Sequence, residues 1–153
     1  MKLLLKNIQL VAPNDLRDGQ HLDIFIKNGI IEQIAPSIDP ESLGTEGGDA
    51  PQIFEAQGAC VSAGWLDVGV QVGDPGYEHR EDLDSVTEAA AAGGYTTIAT
   101  QTNAKPAIHS KSEILYIKNK NLHSIVEILP IGALSVDCAG KDIAEFYDMH
   151  HAG

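Results

Sequence analysis

The chain lacks the features that would assign it to several special classes of protein. It carries 10 basic residues against 22 acidic ones, a formal net charge of −12. Such a surface repels phosphate backbones and anionic membranes, so nucleic-acid binding is excluded. No apolar run approaches the roughly 18 residues of a membrane span. With 43% apolar and 21% charged residues in 153 positions, the composition is typical of a globular domain with a core.

Cysteine is also scarce, and its spacing indicates a reducing compartment. Cys60 and Cys138 are the two cysteines, and they form no Cys-x-x-Cys pair. The apolar run at residues 3–5 is interrupted by Lys6 and Asn7 before it reaches the length of a signal-peptide core. We therefore expect free thiols and a soluble cytoplasmic protein.

The first 57 residues are rich in strand signals. Alternating apolar residues lead to Asn28-Gly29, and a second apolar run continues to Pro36. An Asn-Gly pair between two such runs favours a tight hairpin because both turn residues accept a positive φ. We predict a hairpin over residues 22–35, followed by a polar surface loop over residues 37–52.

After residue 57 the pattern changes to strands that alternate with helices. The predicted strands and helices, in chain order, cover residues 64–72, 82–92, 95–100, 112–121, 125–134 and 141–151. This alternation is typical of a parallel sheet with crossover helices. The predicted fold is α/β, with a small N-terminal β-sandwich segment (1–57) followed by the first three β/α units of a TIM-like (β/α)8 barrel (58–153). Three units leave a barrel incomplete, and an open α/β domain covered by a partner is the alternative.

The most specific motif begins in the first predicted strand of this second part. Residues 67–76 read Asp-Val-Gly-Val-Gln-Val-Gly-Asp-Pro-Gly, and an alanine-rich helix and Asn103 follow. This arrangement resembles the dihydroorotase family of the amidohydrolase superfamily, whose first barrel strand carries Asp-x-His-x-His, an arginine and an acidic residue with Pro-Gly. The two histidine positions are Gly69 and Gln71 in this chain, and the arginine position is Gly73.

The resemblance implies a zinc site that this segment does not supply. In the family, two inward imidazoles chelate the metal, and the arginine pairs with a substrate carboxylate. Glycine offers no ligand, and a glutamine carbonyl is a rare donor to zinc. We therefore predict no metal ligand, no cofactor and no catalytic residue in this chain. Asn103 stands where the family has a substrate-binding asparagine and is the one predicted substrate-binding residue.

Other residues with chemical potential have structural interpretations. Asp82 and Asp84 precede an alanine-rich helix, where acidic residues are favoured by capping and by the helix dipole. His79 has no second histidine at chelating spacing, which favours a surface role. Neighbouring helix residues such as His150 and His151 point about 100° apart and do not chelate one ion together.

Two functions follow from the resemblance, and a third does not depend on it. The first is a non-catalytic dihydroorotase-like protein of pyrimidine biosynthesis that supports an assembly with aspartate transcarbamoylase. The second is a functional cyclic-amide hydrolase that uses metal ligands from later strands of a longer parent, with Asn103, and also Asp74 or His79, orienting the substrate. The third is an interaction domain that forms homo-oligomers through the apolar strand around residues 125–131.

Overall fold

The structure, a computed structural model, describes residues 1–44 and 50–153. It divides into two compact units, Met1–Ala63 and Gly64–Gly153. The sequence pattern changes at residue 57, but the first unit extends to Ala63. It extends this far because a strand at Cys60–Ser62 pairs with the first strand of the chain. Residues 45–49 of the predicted surface loop lie outside the described residues. In the part that the structure describes, no helix is long and apolar enough to cross a membrane.

The first unit is built on one mixed sheet. Its strands are β1 (Lys2–Val11), β2 (His21–Lys27), β3 (Ile30–Ala35), β4 (Gln52–Glu55) and β5 (Cys60–Ser62). The order is β3-β2-β1-β4, and β5 also pairs with β1. Strands β2 and β3 form the predicted hairpin, and both turn residues, Asn28 and Gly29, have positive φ. Residues 1–44 and 50–63 show this single sheet, so the two-sheet sandwich stays a prediction.

A buried carboxylate connects three segments of this first unit. Asp23 on β2 is 4% exposed. Its oxygens accept hydrogen bonds from the backbone N–H groups of Asn7 and Ile38, each at 2.9 Å, and Lys6 Nζ lies 3.4 Å away. Asn7 has a φ of +54°, at an irregularity in the pairing of β1 with β2. The carboxylate therefore holds this irregular part of β1 against the segment that follows β3.

The segment after β3 is not simply a surface loop. Ile38 is 2% exposed and packs in a core cluster with Leu4 and Phe25. A short 3-10 turn follows at Pro40–Leu43. The prediction of an entirely exposed loop over residues 37–52 is therefore wrong at its start, because the N–H of Ile38 is needed by the buried carboxylate of Asp23.

Parallel strands and helices alternate in the second unit, as predicted. The elements are β6 (Trp65–Val70), α1 (Leu83–Ala92), β7 (Tyr95–Thr100), α2 (Lys111–Lys120), β8 (Glu127–Pro130) and α3 (Phe146–Ala152). The sheet order is β6-β7-β8, and both pairings are parallel. Helices α1 and α2 each begin at a capping box, with Asp82 and Ser110 as the N-cap residues.

Besides the first strand, which ends at Val70 rather than at residue 72, two predicted elements of this unit are too long. The third strand ends at Pro130 rather than at residue 134, and the N–H of Ala133 donates to the carbonyl of Ile108 instead of continuing a ladder. Helix α3 begins at Phe146 rather than at residue 141, because Ile143 forms a β-bridge with Ser135. Both differences arise from pairings that local periodicity does not reveal.

The sheet of the second unit is covered on one face. Ile98 and Ile128 pack with residues of the helices in one buried cluster that includes Leu83, Val86, Ile114 and Ile117. On other strand positions, Leu66, Val68 and Leu129 are exposed by 52%, 68% and 37%. The helices therefore bury one face of the sheet and leave apolar side chains exposed elsewhere on it.

The environment of Asp23 predicts a pH-dependent stability. Burial raises the pKa of its carboxyl, but the hydrogen bonds from Asn7 and Ile38 and the charge of Lys6 outweigh burial and hold the pKa below its usual value. The stabilisation is therefore present above the unfolded pKa of about 3.9 and is lost as the pH falls through the lower folded pKa. We expect Asp23→Asn to lower the free energy of unfolding by about 2 kcal/mol at neutral pH.

Urea unfolding from about pH 7 down to about pH 3 measures this difference. Glu32→Gln is the control, because the Glu32 carboxylate lies 3.9 Å from Lys27 Nζ in an exposed ion pair. Removing this pair is expected to lower the free energy of unfolding by less than about 0.5 kcal/mol. A gap between Asp23→Asn and the wild type that stays constant down to the lowest pH would contradict the assignment.

Candidate ligand-binding cavity

The first strand of the second unit contains a β-bulge at Gly69. Val68 pairs with Ala99 and Val70 pairs with Thr100, so Gly69 is an additional residue on β6. Its φ is +93°, a conformation that side-chain-bearing residues rarely adopt. Val68 is exposed, whereas Val70 packs against the core cluster. The bulge therefore interrupts the simple alternation that would place positions 69 and 71 on a shared face.

Gln71 follows this strand and interacts with the residue that follows the next strand. Its Nε2 donates to Oε1 of Gln101 at 3.5 Å. A Cβ atom at Gly69 would lie 3.5 Å from Nε2 of the same Gln101. Both positions that carry histidine in the family are thus next to a side-chain amide.

The donor set does not fit a zinc ion. The groups at these positions are side-chain amides, and thiolates, imidazoles and carboxylates are the usual zinc ligands. Across residues 1–44 and 50–153, no three His, Cys, Asp or Glu side chains form a group that could hold a metal ion. The rings of His150 and His151, tilted by 48° with centroids 5.8 Å apart, belong to no such group.

Gly73, at the position of the family's arginine, lies inside a tight turn. Its carbonyl accepts from the N–H of Tyr77 at 2.5 Å, and its own N–H donates to the carbonyl of Glu81 at 3.1 Å. A Cβ atom at Gly73 would overlap the carbonyl oxygen of Tyr77 and lie 2.8 Å from that of Glu81. The turn therefore excludes any side chain at position 73.

Gln71 and Gly73 border one open cavity of about 270 Å³ at the end of β6. Its lining residues are Gln71, Val72, Gly73, Tyr77, Arg80, Glu81 and Asn103. The Arg80 guanidinium carbon lies 5.0 Å from the centroid of the Tyr77 ring, a cation–π geometry. Asn103 is exposed and forms no side-chain hydrogen bond with the residues that the structure describes. The structure thus brings Asn103 together with Gln71 and Gly73, and its role toward a substrate stays a prediction.

The other candidate residues near this turn have structural partners. The Glu78 carboxylate accepts from the N–H of Gly76 at 2.8 Å, and this bond holds the pKa of Glu78 below its usual value. The rings of His79 and Tyr77 form a T-shaped pair, with their centroids 6.4 Å apart. Asp82 accepts from the N–H of Ser85 at 2.8 Å as the cap of α1, as the sequence predicts.

Asp74 does not line the cavity. Its side chain is fully buried and accepts hydrogen bonds from Lys120 Nζ and Tyr116 Oη, both at 2.8 Å, and from the N–H of Leu83 at 3.4 Å. The bond to Asp74 raises the pKa of Lys120. Burial, together with the same carboxylate, raises the pKa of Tyr116. Asp74 thus has a buried carboxyl group that holds the loop after β6 against α1 and α2.

Sequence reasoning misses several residues of this region. Tyr116 and Lys120 reach Asp74 from more than 40 positions away, and no local pattern indicates that contact. Arg80 also lines the cavity and is the only arginine in residues 64–153. The sequence gives one indication of Arg80, because it is the arginine nearest to position 73, where the family has its carboxylate-binding arginine.

A parallel α/β unit with polar side chains beyond the ends of its strands occurs in TIM-like barrels and in open doubly wound sheets. Residues 58–153 match the family described as dihydro-orotase-like, so the chain belongs to that family. It is 34% identical over 155 residues to the dihydroorotase of Aquifex aeolicus and 33% identical over 156 residues to that of Ruminiclostridium cellulolyticum. Each of these alignments covers 100% of this chain and 34% of the relative. This chain therefore spans about a third of the length of these relatives.

Solved structures with a similar fold include two hydrolases. The L-hydantoinase (dihydropyrimidinase) from Arthrobacter aurescens is similar over 99% of this chain and 31% of its own, with a TM-score of 0.75 and 25% identity. A dihydroorotase crystal structure is similar over 99% of this chain and 38% of its own, with a TM-score of 0.58 and 16% identity. The mixed α/β fold is thus similar to that of amidohydrolases.

The turn at Gly73 gives a prediction about stability. Gly73→Ala is expected to lower the free energy of unfolding by about 2–3 kcal/mol, because the new Cβ must displace backbone carbonyls. Gly94→Ala is the matched control. Gly94 has a φ of +83°, and an added Cβ would meet no atom within 4 Å, so this variant is expected to lose only about 1 kcal/mol. Urea unfolding of both variants makes the comparison, and equal losses would refute a closed turn at Gly73.

Proposed function

We propose that this chain is the N-terminal part of a dihydroorotase-like protein of pyrimidine biosynthesis that does not hydrolyse cyclic amides. The backbone at the motif carries the proposal. Gly69 lies in a bulge with positive φ, and Gly73 lies in a turn that leaves no room for a Cβ atom. The metal and substrate contacts of the family are therefore replaced by backbone conformations that disfavour the original side chains.

The energetic consequence supports a non-catalytic role. A catalytic zinc ion lowers the pKa of its bound water from about 15.7 to about 7, which corresponds to roughly 12 kcal/mol of nucleophile activation. An arginine–carboxylate contact adds about 1.5–3 kcal/mol of substrate binding. The first strand of this chain supplies neither contribution at the family's positions.

The rest of the proposal concerns the longer protein and its partner. We infer that later β/α units complete a TIM-like barrel against the apolar residues that β6 and β8 leave exposed, Leu66, Val68 and Leu129. In a protein that keeps the scaffold without the metal ligands, the retained function is support of an assembly. Aspartate transcarbamoylase, the neighbouring enzyme of the pathway, is the proposed partner, and the protein is proposed to be a cytoplasmic homo-oligomer.

A functional cyclic-amide hydrolase is the second candidate. The relatives from Aquifex aeolicus and Ruminiclostridium cellulolyticum are both named dihydroorotase, and Asn103 lies beside the cavity with its side-chain amide exposed. In this case, metal ligands from later strands would have to form the site without the first strand, and dihydroorotate and N-carbamoyl-aspartate would be interconverted.

Activity and metal content of the full-length protein separate the two candidates. We expect no zinc-dependent interconversion of dihydroorotate and N-carbamoyl-aspartate, and less than one zinc ion per chain by elemental analysis, because the first strand offers no zinc donors. The Aquifex aeolicus dihydroorotase, assayed in parallel, is the positive control. Turnover that a chelator abolishes and zinc restores would establish the hydrolase instead.

The proposed assembly has its own measurement. Full-length protein mixed with aspartate transcarbamoylase of the same organism is expected to elute from a sizing column as one species, with a light-scattering mass above that of either protein alone. A concentration of about 10 μM is sufficient for a complex with a micromolar Kd. Separate elution of the two proteins at their own masses would remove aspartate transcarbamoylase as the partner.

A further inference from the structure

We propose that a groove between α1 and the connection from α2 to β8 is the interface through which two copies of this protein form a two-fold symmetric dimer. The inference rests on one part of the proposed function, the homo-oligomer, and names the surface that forms it. It does not depend on whether the full-length protein catalyses a reaction.

The groove, which we call the α1 groove, has a volume of about 590 Å³ and two walls. Helix α1 supplies the first wall, and the α2–β8 connection, which includes a 3-10 turn at Asn121–His123, supplies the second. The residues that carry the argument are Asp84 and Glu88 on the first wall, and Lys120, His123 and Ile125 on the second. All five side chains are exposed, so both walls are open to a second molecule.

The second wall presents apolar side chains on a fixed backbone. Ile125 is 84% exposed, and the nearby Leu122 is 70% exposed. The next residue, Val126, is buried in the core cluster. The side-chain amide of Asn121 donates to the carbonyl of Val126 at 2.8 Å and accepts from the N–H of Ile128 at 3.0 Å. Because this backbone is already held in place, ordering it on association costs little, and exposed apolar side chains of this kind suit the core of an interface.

Later β/α units of a barrel would not cover this groove. The sheet order is β6-β7-β8, so further strands can pair only beside β6 or β8. Helix α1 connects β6 to β7, and α2 connects β7 to β8. The groove therefore lies within the three units rather than at either end of them, and its apolar wall stays available in a completed barrel.

The charges of the groove favour a second copy as the occupant. Asp84 and Glu88 lie one helical turn apart on α1, and neither forms an ion pair with any residue that the structure describes. The opposite wall carries His123, which is cationic when protonated, and Lys120, whose Nζ also binds Asp74. A two-fold axis through the groove sets the acidic wall of each copy against the basic wall of the other, so every contact is made twice.

The charge of the whole chain makes this match selective. With a net charge of −12, most approaches of two copies are repulsive. Walls of opposite sign avoid that repulsion at the α1 groove. The groove thus combines exposed apolar side chains with charges that complement themselves.

The apolar contact is tested by light scattering and sedimentation of the full-length protein. Between about 0.5 and 50 μM, the wild type is expected to show a reversible dimer with a micromolar Kd. Ile125→Ser should weaken this dimer about 10-fold or more, because it removes a large apolar side chain from the interface. Leu16→Ser is the matched control, since Leu16 is fully exposed in the other unit, and it should leave the Kd unchanged.

The two-fold arrangement is tested by exchanging the charges of the walls. Asp84→Gln/Glu88→Lys makes the first wall positive, and His123→Glu makes the second wall negative. Each variant alone sets like charges against each other, so its Kd should rise about 10-fold or more. An equimolar mixture of the two variants restores opposite charges at both contacts and should form a heterodimer at least as tightly as the wild type. Unfolding curves like that of the wild type confirm that the variants are folded.

The outcomes separate this inference from the proposed function. A wild-type oligomer whose Kd is unchanged by Ile125→Ser and His123→Glu would overturn the α1 groove as the interface and leave the homo-oligomer intact. Weakened variants that do not recover on mixing would overturn the two-fold arrangement. A wild type that stays monomeric up to about 50 μM would overturn both the groove and the homo-oligomer. The absence of hydrolysis is measured separately and is not affected by any of these results.

Discussion

The buried carboxylate of Asp74 is the contact on which the candidate cavity depends. An ionised carboxylate without partners is too costly to bury, and Asp74 is fully buried. Its three donors are Lys120, Tyr116 and the N–H of Leu83, which belong to α2 and α1. Because these donors fix Asp74, they also fix the adjacent Gly73 and the start of the turn that presents Tyr77 and Arg80.

The departures from the family's motif lie in backbone as well as in side chains. A histidine at position 69 would have to adopt a φ near +93°, or the bulge would have to rearrange. An arginine at position 73 would have to displace the carbonyls of Tyr77 and Glu81. Each restored side chain therefore meets a local conformation that suits glycine, and a single reversion would not rebuild the contact. At positions 69 and 73, both the residue type and the backbone conformation differ from what the family's histidine and arginine would require.

Sequence predicts the features that neighbouring residues determine and misses those that need distant partners. The Asn28-Gly29 turn and the cap of α1 at Asp82 are local, whereas the cap of α2 at Ser110 lies two residues before the predicted start of that helix. Asn103 lies on the lining of the cavity, and its role toward a substrate stays a prediction. The bulge at Gly69, in contrast, arises from the register of β6 against β7, and a run of valines gives no indication of it. The contact of Lys120 with Asp74 joins residues 46 positions apart. Composition and periodicity carry no information about such contacts.

Catalysis and binding impose different demands on the residues that line a cavity. Catalysis requires groups that stabilise the transition state more than the ground state, and zinc activation of water is a large contribution of this kind. Binding requires only hydrogen-bond donors and acceptors that match the ligand, each contributing about 0.5–3 kcal/mol. The cavity at the end of β6 carries amide donors and acceptors on Gln71 and Asn103, whereas the two positions that hold zinc-binding histidines in the family are Gly69 and Gln71.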